Sequence, residues 1–439
     1  MGKCQACPPA PLVLQAQEQG QNLRENQDRE DRPLAVVGIT HAQTSLVLRG
    51  RLRGLRNAGF RIVLISSPGP LADELADQEG AEQLHIPMRR EVAPIADILS
   101  FFRLLSALRR LRPDLTEFST PKAGLLGNMA AFLCRVPTRI YMLRGLRLET
   151  ALGFTRVLLK ISERVAARCA HVVVCNSESL RRRADELGLA PAQKLRLIAN
   201  GSSNGVDVDR FCPGPDRARR LLHIPADAPV IGYVGRLTRD KGIPELLDAF
   251  ELSLQTTPDA RLLLVGWFDE SEDALSPGER ARINAHARIV CTGFVPDTSP
   301  YYRVMDVMVL PTWREGFPNV VLEAAATGIP VIATLTTGAR DAVLPGITGM
   351  LVPPGNPRAL AEAMLRLLNN PPQRAAMGRA ARRWVLERFE DRRVLDLTVS
   401  FYRQLLAAHQ AQPVSVWARF GSSTGSSGAP RPGLLEDCG

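Results

Sequence analysis

The chain has 439 residues, more than one hydrophobic core accommodates, so two domains are expected. Its apolar share of 45% and charged share of 23% are those of a globular protein, and no run of eighteen apolar residues offers a membrane-spanning helix. A net charge of +10 favours anionic partners such as phosphate esters, nucleic acid or an acidic membrane surface, without choosing among them.

Residues 1–32 are polar and rich in Gln, Glu and Arg, and read as a disordered extension. They contain a lone C-x-x-C, Cys4 and Cys7, with no histidine nearby to make a metal or redox site. The opening MGKCQA has Ala6 where myristoylation wants Ser or Thr, and no basic segment followed by an apolar one suggests secretion. The remaining cysteines have no framework spacing, as in a reducing cytoplasm.

From residue 33 short β-branched runs alternate with helical periodicity. The runs LAVVGIT, FRIVLISS, RIYML and HVVVCN read as strands, with helices over 44–59, 95–112 and 123–134 between them. A Gly/Ser/Asn/Pro-rich stretch from Asn200 to Pro215 reads as a hinge. Beyond it PVIGYVG, ARLLLVG, ARIVCTG, VMVLP and PVIAT repeat the pattern, a helix over about 392–408 has no following strand, and 411–439 is a low-complexity tail. Apolar strands alternating with helices indicate parallel sheets covered on both faces. The expectation is therefore α/β: two Rossmann-like, doubly wound domains, 33–205 and 206–391, facing across a cleft, with 392–410 returning to the first domain. Ligands then belong on the loops leaving the strands.

Two such loops carry charge. In YVGRLTRDKGIPELLDAF, Arg236 and Lys241 lie between a strand ending at Gly235 and a helix opened by Pro244. Neither a P-loop nor a G-x-G-x-x-G fingerprint is present. A planar fork beside a point charge suits a diphosphate; a solvated loop paired with Asp240 or Glu245 is the plainer alternative. In TWREGFPNVVLEAAATG, the helix start at Gly316, Phe317, Pro318, Asn319 and Val320 offers backbone N–H groups to an anion. Glu323, about a turn along, could accept hydroxyls of a sugar or ribose, and Glu315 precedes it on the loop. The alternative makes Glu323 a solvent-facing helix residue and Glu315 an ordinary loop acid.

Together with LLLVGWFDE, TGFVPDTSPYYRVMDVMVLP and GMLVPPGNPRALAEAM, these segments resemble the C-terminal domain of family 4 glycosyltransferases, retaining enzymes of the GT-B fold. STPKAGLLGNMAAFLCRVPTRIYMLRGL and IANGSSNGVDVDRF resemble the branch that builds bacterial lipid-linked oligosaccharides, capsules and exopolysaccharides, which includes an N-acetylgalactosaminyltransferase acting on undecaprenyl-diphospho-bacillosamine. The resemblance implies transfer of a sugar from a nucleotide-sugar, UDP-linked in most of the family, to a glycan acceptor, with no cofactor, no metal and no nucleic acid. The family's E-x7-E falls on Glu315, near the donor sugar, and Glu323, at the ribose. Arg236 and Lys241 would neutralise the diphosphate, Gly235 would admit it close to the main chain, and Phe294 and Val295 would flank the base.

The first domain departs from the family's pattern. Glu117 and Ser119 stand in the loop before TPKAG where histidines are common, and Arg144 replaces a Tyr-x-x-His-Gly histidine. Ser45, Lys122, Arg144 and Arg147 are the acceptor-side candidates. A sugar-nucleotide epimerase of the same fold and a non-catalytic degenerate copy remain alternatives. The amphipathic stretch ILSFFRLLSALRRLRP, with Ile98, Phe101, Phe102, Leu105 and Leu108 on one face, either lies on an anionic cytoplasmic leaflet or faces the core with a basic edge. A lipid-linked acceptor favours peripheral contact with the inner membrane.

Overall fold

A computed structural model describes residues 32–410 apart from 90, 92 and 203. The two extensions and the Cys4/Cys7 pair lie outside the described residues. Among the described residues, thirteen strands form two wholly parallel sheets. The first holds β1 (Leu34–Gly38), β2 (Arg61–Ser66), β3 (Glu82–His85), β4 (Leu115–Ser119), β5 (Thr138–Leu143), β6 (Val172–Cys175) and β7 (Leu195–Leu197), in the order β3-β2-β1-β4-β5-β6-β7. The second holds β8 (Val230–Val234), β9 (Arg261–Val265), β10 (Ile289–Cys291), β11 (Val307–Leu310), β12 (Val331–Thr334) and β13 (Gly349–Val352), in the order β10-β9-β8-β11-β12-β13. Both orders reverse beside their first strand, at β1/β4 and β8/β11, which is where a doubly wound sheet opens a ligand crevice.

Four strands were missed in the sequence: β13, a short apolar GMLV, and three without a continuous apolar run. β3 is the polar EQLH at a sheet edge, β7 has three residues, and β4 has Glu117 at its centre. Glu117 and Ser119 are thus buried strand residues, not loop residues. The helix expected over 44–59 is two pieces, a 3-10 turn Ala42–Leu48 and a helix Arg51–Asn57, interrupted at Gly50. The buried Glu79 carboxylate holds the break by accepting from the Gly50 and Arg53 N–H groups, both at 2.9 Å.

The helix Pro94–Leu111 buries Leu104, Leu105 and Leu108 against the sheet but exposes Ile98 and Phe102. Its apolar residues therefore form two faces, not the single one the periodicity suggested.

The chain passes between the sheets twice, side by side. Val206 N–H donates to the Phe389 carbonyl at 2.8 Å, and Asp391 N–H to the Val206 carbonyl at 3.0 Å. The last helix, Asp391–Gln410, then lies on the first domain. There Val399 and Tyr402 join a core with Leu48, Leu52 and Phe60.

Candidate active site

The crevice at β8/β11 collects the charged residues. β8 ends at Val234, and Gly235 follows, whose φ of 147° and a Cβ position only 2.9 Å from the Tyr233 hydroxyl disfavour any side chain. Arg236 follows, then the turn Arg239–Lys241 and the helix Ile243–Leu254. From the neighbouring β11, the loop 311–318 leads into the helix Asn319–Ala326. Pro318 is its N-cap, one position before the helix. Adjacent strands thus bring Lys241 and Glu315 together, with Nζ 2.5 Å from Oε1.

Neither cation takes the partner first considered. Arg236 pairs with Asp269, just beyond β9, and Lys241 with Glu315. Burial opposes the Arg236 charge, but the hydrogen bond it donates to the Asp269 carboxylate holds its pKa above the usual value. Asp240 is buried and occupied by Arg314 at 2.9 Å. Burial pushes its carboxyl up, yet Lys241, Thr238 and Arg314 outweigh that and hold it below the usual range. Arg314 also reaches Asp273 at 3.0 Å, and Trp313 N–H donates to the Asp240 carbonyl at 2.9 Å, so the two loops are fastened together.

Glu323 is half-buried rather than solvent-facing. Burial raises its pKa, partly offset by the hydroxyl of buried Tyr302, which donates to Oε2 at 2.7 Å. Phe294 exposes 46% of its surface and meets Trp267 edge-on at 5.4 Å between centroids, leaving a ring face available beside Val295.

The first domain meets this site main chain to main chain. Gly316 lies under the loop after β5, where an added Cβ would stand 1.7 Å from the Arg144 carbonyl oxygen. The Glu315–Gly316 backbone therefore faces the first domain, while the Glu315 side chain turns to Lys241 within its own. Further contacts cross the cleft. Ser179 donates from N and Oγ to Asp341 at 2.8 and 2.5 Å, Thr337 donates to Glu149 at 2.7 Å, and Ser202 Oγ lies 3.4 Å from the Asn319 amide oxygen.

The acceptor-side candidates separate. Ser45 is fully buried with its hydroxyl on the Ala42 carbonyl at 2.5 Å, so in this conformation it cannot touch an acceptor. Lys122 pairs with Asp97 at 2.6 Å and also bonds the Glu91 carbonyl. Arg147 bridges the cleft to Glu272 at 3.1 Å. The Arg144 guanidinium lies 4.0 Å from Glu117, whose other oxygen receives Arg51 at 2.5 Å. Burial, with the like charge of Arg51 and despite Glu117, lowers the Arg144 pKa to about 10, which leaves it a cation at neutral pH. Asp269 and Tyr302 were missed as partners, although the strand-end position of Asp269 in VGWFDE was a usable signal. Among the described residues no cluster of three metal-ligating side chains occurs.

Two family models match the chain, one described as glycosyl transferases group 1 over residues 228–370 and one as a glycosyl transferase 4-like domain over residues 45–201. The capsular polysaccharide biosynthesis glycosyltransferase CapM of Staphylococcus aureus is 34% identical over 84% of this chain and 96% of its own. The Escherichia coli UDP-Gal:alpha-D-GlcNAc-diphosphoundecaprenol alpha-1,3-galactosyltransferase is 28% identical over 76% of this chain and 88% of its own. Among solved structures, Anabaena HepE in complex with UDP-glucose superposes with a TM-score of 0.70 at 21% identity, covering 84% of this chain and 99% of that one, a likeness of fold.

Proposed function

The chain belongs to the glycosyltransferase group 1 family and has the GT-B fold, and we propose that it moves a sugar from a UDP-linked donor to a hydroxyl of a lipid-linked glycan, with retention, in capsule-type or exopolysaccharide biosynthesis. The observation that carries this is the Lys241–Glu315 pair between the loops after β8 and β11, with Arg236 on the first loop and Glu323 on the helix that follows the second. In this reading the diphosphate takes Arg236 and Lys241 into its own ion pairs, and the first-turn N–H groups of the helix Asn319–Ala326 supply further donors. Glu315 then accepts from a donor-sugar hydroxyl, and Glu323, held by Tyr302, from the ribose. Phe294 and Val295 line the base.

As the bond between the anomeric carbon and the phosphate oxygen breaks, negative charge grows on the departing diphosphate. Donors already in place there lower the barrier, each worth roughly 10²–10³ in rate. The acceptor oxygen forms the new bond to the anomeric carbon, and its proton leaves with the diphosphate. Arg144, whose main chain meets Gly316 and whose guanidinium, still cationic, lies by Glu117, is the acceptor-side residue favoured in this reading. These side chains supply the charge, so no metal or other cofactor is expected, and chelation should leave turnover unchanged. The acceptor class is suggested by the diphosphoundecaprenol-linked acceptor of the E. coli relative, and the capsule-type product by the S. aureus relative.

The direct test is a panel of nucleotide-sugars scored by thermal stabilisation, since a bound ligand raises stability by mass action. A UDP-sugar should stabilise the wild type, and the double variant Arg236→Ala/Lys241→Ala should lose the response. Equal stabilisation of both proteins would reject the site.

A further inference from the structure

Glu117 stands at the centre of β4, a strand buried along its whole length. One of its oxygens receives Arg51 at 2.5 Å, and the other lies 4.0 Å from the Arg144 guanidinium. Glu117 and Arg144 are two of the positions at which the first domain departs from the family pattern, and the fold brings them together from different strands. Arg51 also donates to the Tyr402 hydroxyl at 2.7 Å. A run of side chains therefore leads from the last helix through Arg51 and Glu117 to the loop after β5. By strand alternation Glu117 shares a face with Leu115, whose core also holds Leu52, Ile140, Met142 and Tyr402.

Three charges in such a place are a poor way to hold a core together, because apolar side chains of similar volume are often at least as stabilising. The triad does not balance either, since two guanidiniums meet one carboxylate. Exposure decides where the surplus charge is offered. The Glu117 side chain is 0% exposed and that of Arg51 4%, against 13% for Arg144. Arg144 is thus the most open of the three, and it stands just past the end of β5, where its carbonyl meets Gly316 of the second domain. Two buried polar atoms at the neighbouring strand ends, Ser119 Oγ on β4 and Asn176 Oδ1 just past β6, have no hydrogen-bond partner among the described residues. A core satisfies such atoms, so a polar ligand at these strand ends is the simpler account of them.

The distances divide the work. Arg51, itself held by Tyr402, takes Glu117 in a short ion pair and fixes the carboxylate. Arg144, at the longer distance, is oriented by that carboxylate and keeps donors for another anion. Fixing a long side chain before the ligand arrives removes an ordering cost from binding. We propose that Glu117, held by Arg51 and Tyr402, is a positioning residue that aims the Arg144 guanidinium at a phosphate of the acceptor, which gives the last helix a part in acceptor recognition. This rests on the acceptor-side reading of Arg144 and adds how that residue is held. Glu117 touches no substrate and acts only through Arg144.

The test is steady-state kinetics with a UDP-sugar and an undecaprenyl-diphosphate-linked sugar, for wild type, Glu117→Gln, Arg144→Gln and the double variant. Glu117→Gln keeps the shape of the side chain and removes its charge. It should raise the acceptor KM by about tenfold, and Arg144→Gln by at least as much. In the double variant the losses should not add, with less than about a further twofold beyond Arg144→Gln alone. The donor KM and the stabilisation by UDP-sugars should stay at wild-type values, which a general loosening of the fold would not allow. Additive losses, or a wild-type acceptor KM in Glu117→Gln while Arg144→Gln is impaired, would overturn the positioning role and leave the acceptor-side reading standing. A wild-type acceptor KM in Arg144→Gln would overturn both. If Glu117→Gln does not fold, Tyr402→Phe, which keeps all three charges, decides instead. A rise of about threefold in acceptor KM at an unchanged donor KM is then expected, and no rise would overturn the proposal.

Discussion

Each cation of the candidate site is already paired with a carboxylate. Arg236 rests on Asp269 and Lys241 on Glu315. A diphosphate must compete with those acids, so removing one should strengthen nucleotide binding. Asp269→Asn is expected to tighten UDP binding several-fold by calorimetry, because Arg236 no longer divides its fork; weaker binding would mean that Asp269 chiefly orients Arg236. Tyr302→Phe removes one hydrogen bond to Glu323 and should raise the donor KM by about fivefold, about 1 kcal/mol, with kcat little changed. The residue types at these positions were legible in the sequence, since strand-end loops concentrate function. Their partners were not. The pairs 241/315 and 236/269 are joined by adjacency of parallel strands distant in sequence, which no local pattern encodes.

At the scale of elements, β4 and the helix Gly153–Cys169 carry buried carboxylates where apolar residues would be simpler. Glu163 is held by the Tyr141 hydroxyl at 2.6 Å, and burial raises its pKa to about 7 despite that hydrogen bond. Its folded pKa exceeds the ordinary carboxylate value. The contribution is therefore fully present below about pH 4.5 and is lost as pH rises through about 7. Glu163→Gln should gain stability relative to wild type across that window, by on the order of 2–3 kcal/mol in urea unfolding, and match it below. A parallel pair of pH profiles would remove the carboxylate as the cause. Most elements could be read from apolar runs and turn residues. β4 could not, because Glu117 is neutralised by Arg51, from the helix Arg51–Asn57, and that helix is capped in turn by Glu79. Periodicity cannot anticipate a charge made tolerable by tertiary pairing.

At the scale of the molecule, the two sheets are joined by the adjacent crossings at Val206 and Phe389–Asp391 and by the Arg144–Gly316 main-chain contact. Gly316→Ala would drive a methyl group into the Arg144 carbonyl and force the cleft apart. Activity should fall at least about tenfold while each domain stays folded, since about 1.4 kcal/mol of misplacement at the reacting atoms suffices. Wild-type turnover in this variant would show that the contact is incidental. The helix Asp391–Gln410 completes the first domain's core, and Arg51 donates to its Tyr402 hydroxyl at 2.7 Å. The first domain thus depends on the last helix of the described chain. We propose sugar transfer with retention at the β8/β11 crevice. It is tested most directly by giving the protein α-linked UDP-sugars and an undecaprenyl-diphosphate-linked sugar acceptor, and reading the product's anomeric linkage by NMR. An α linkage from wild type, with turnover reduced by at least about 10³ in Arg236→Ala/Lys241→Ala, is expected. A β linkage, or unchanged turnover in the double variant, would contradict it.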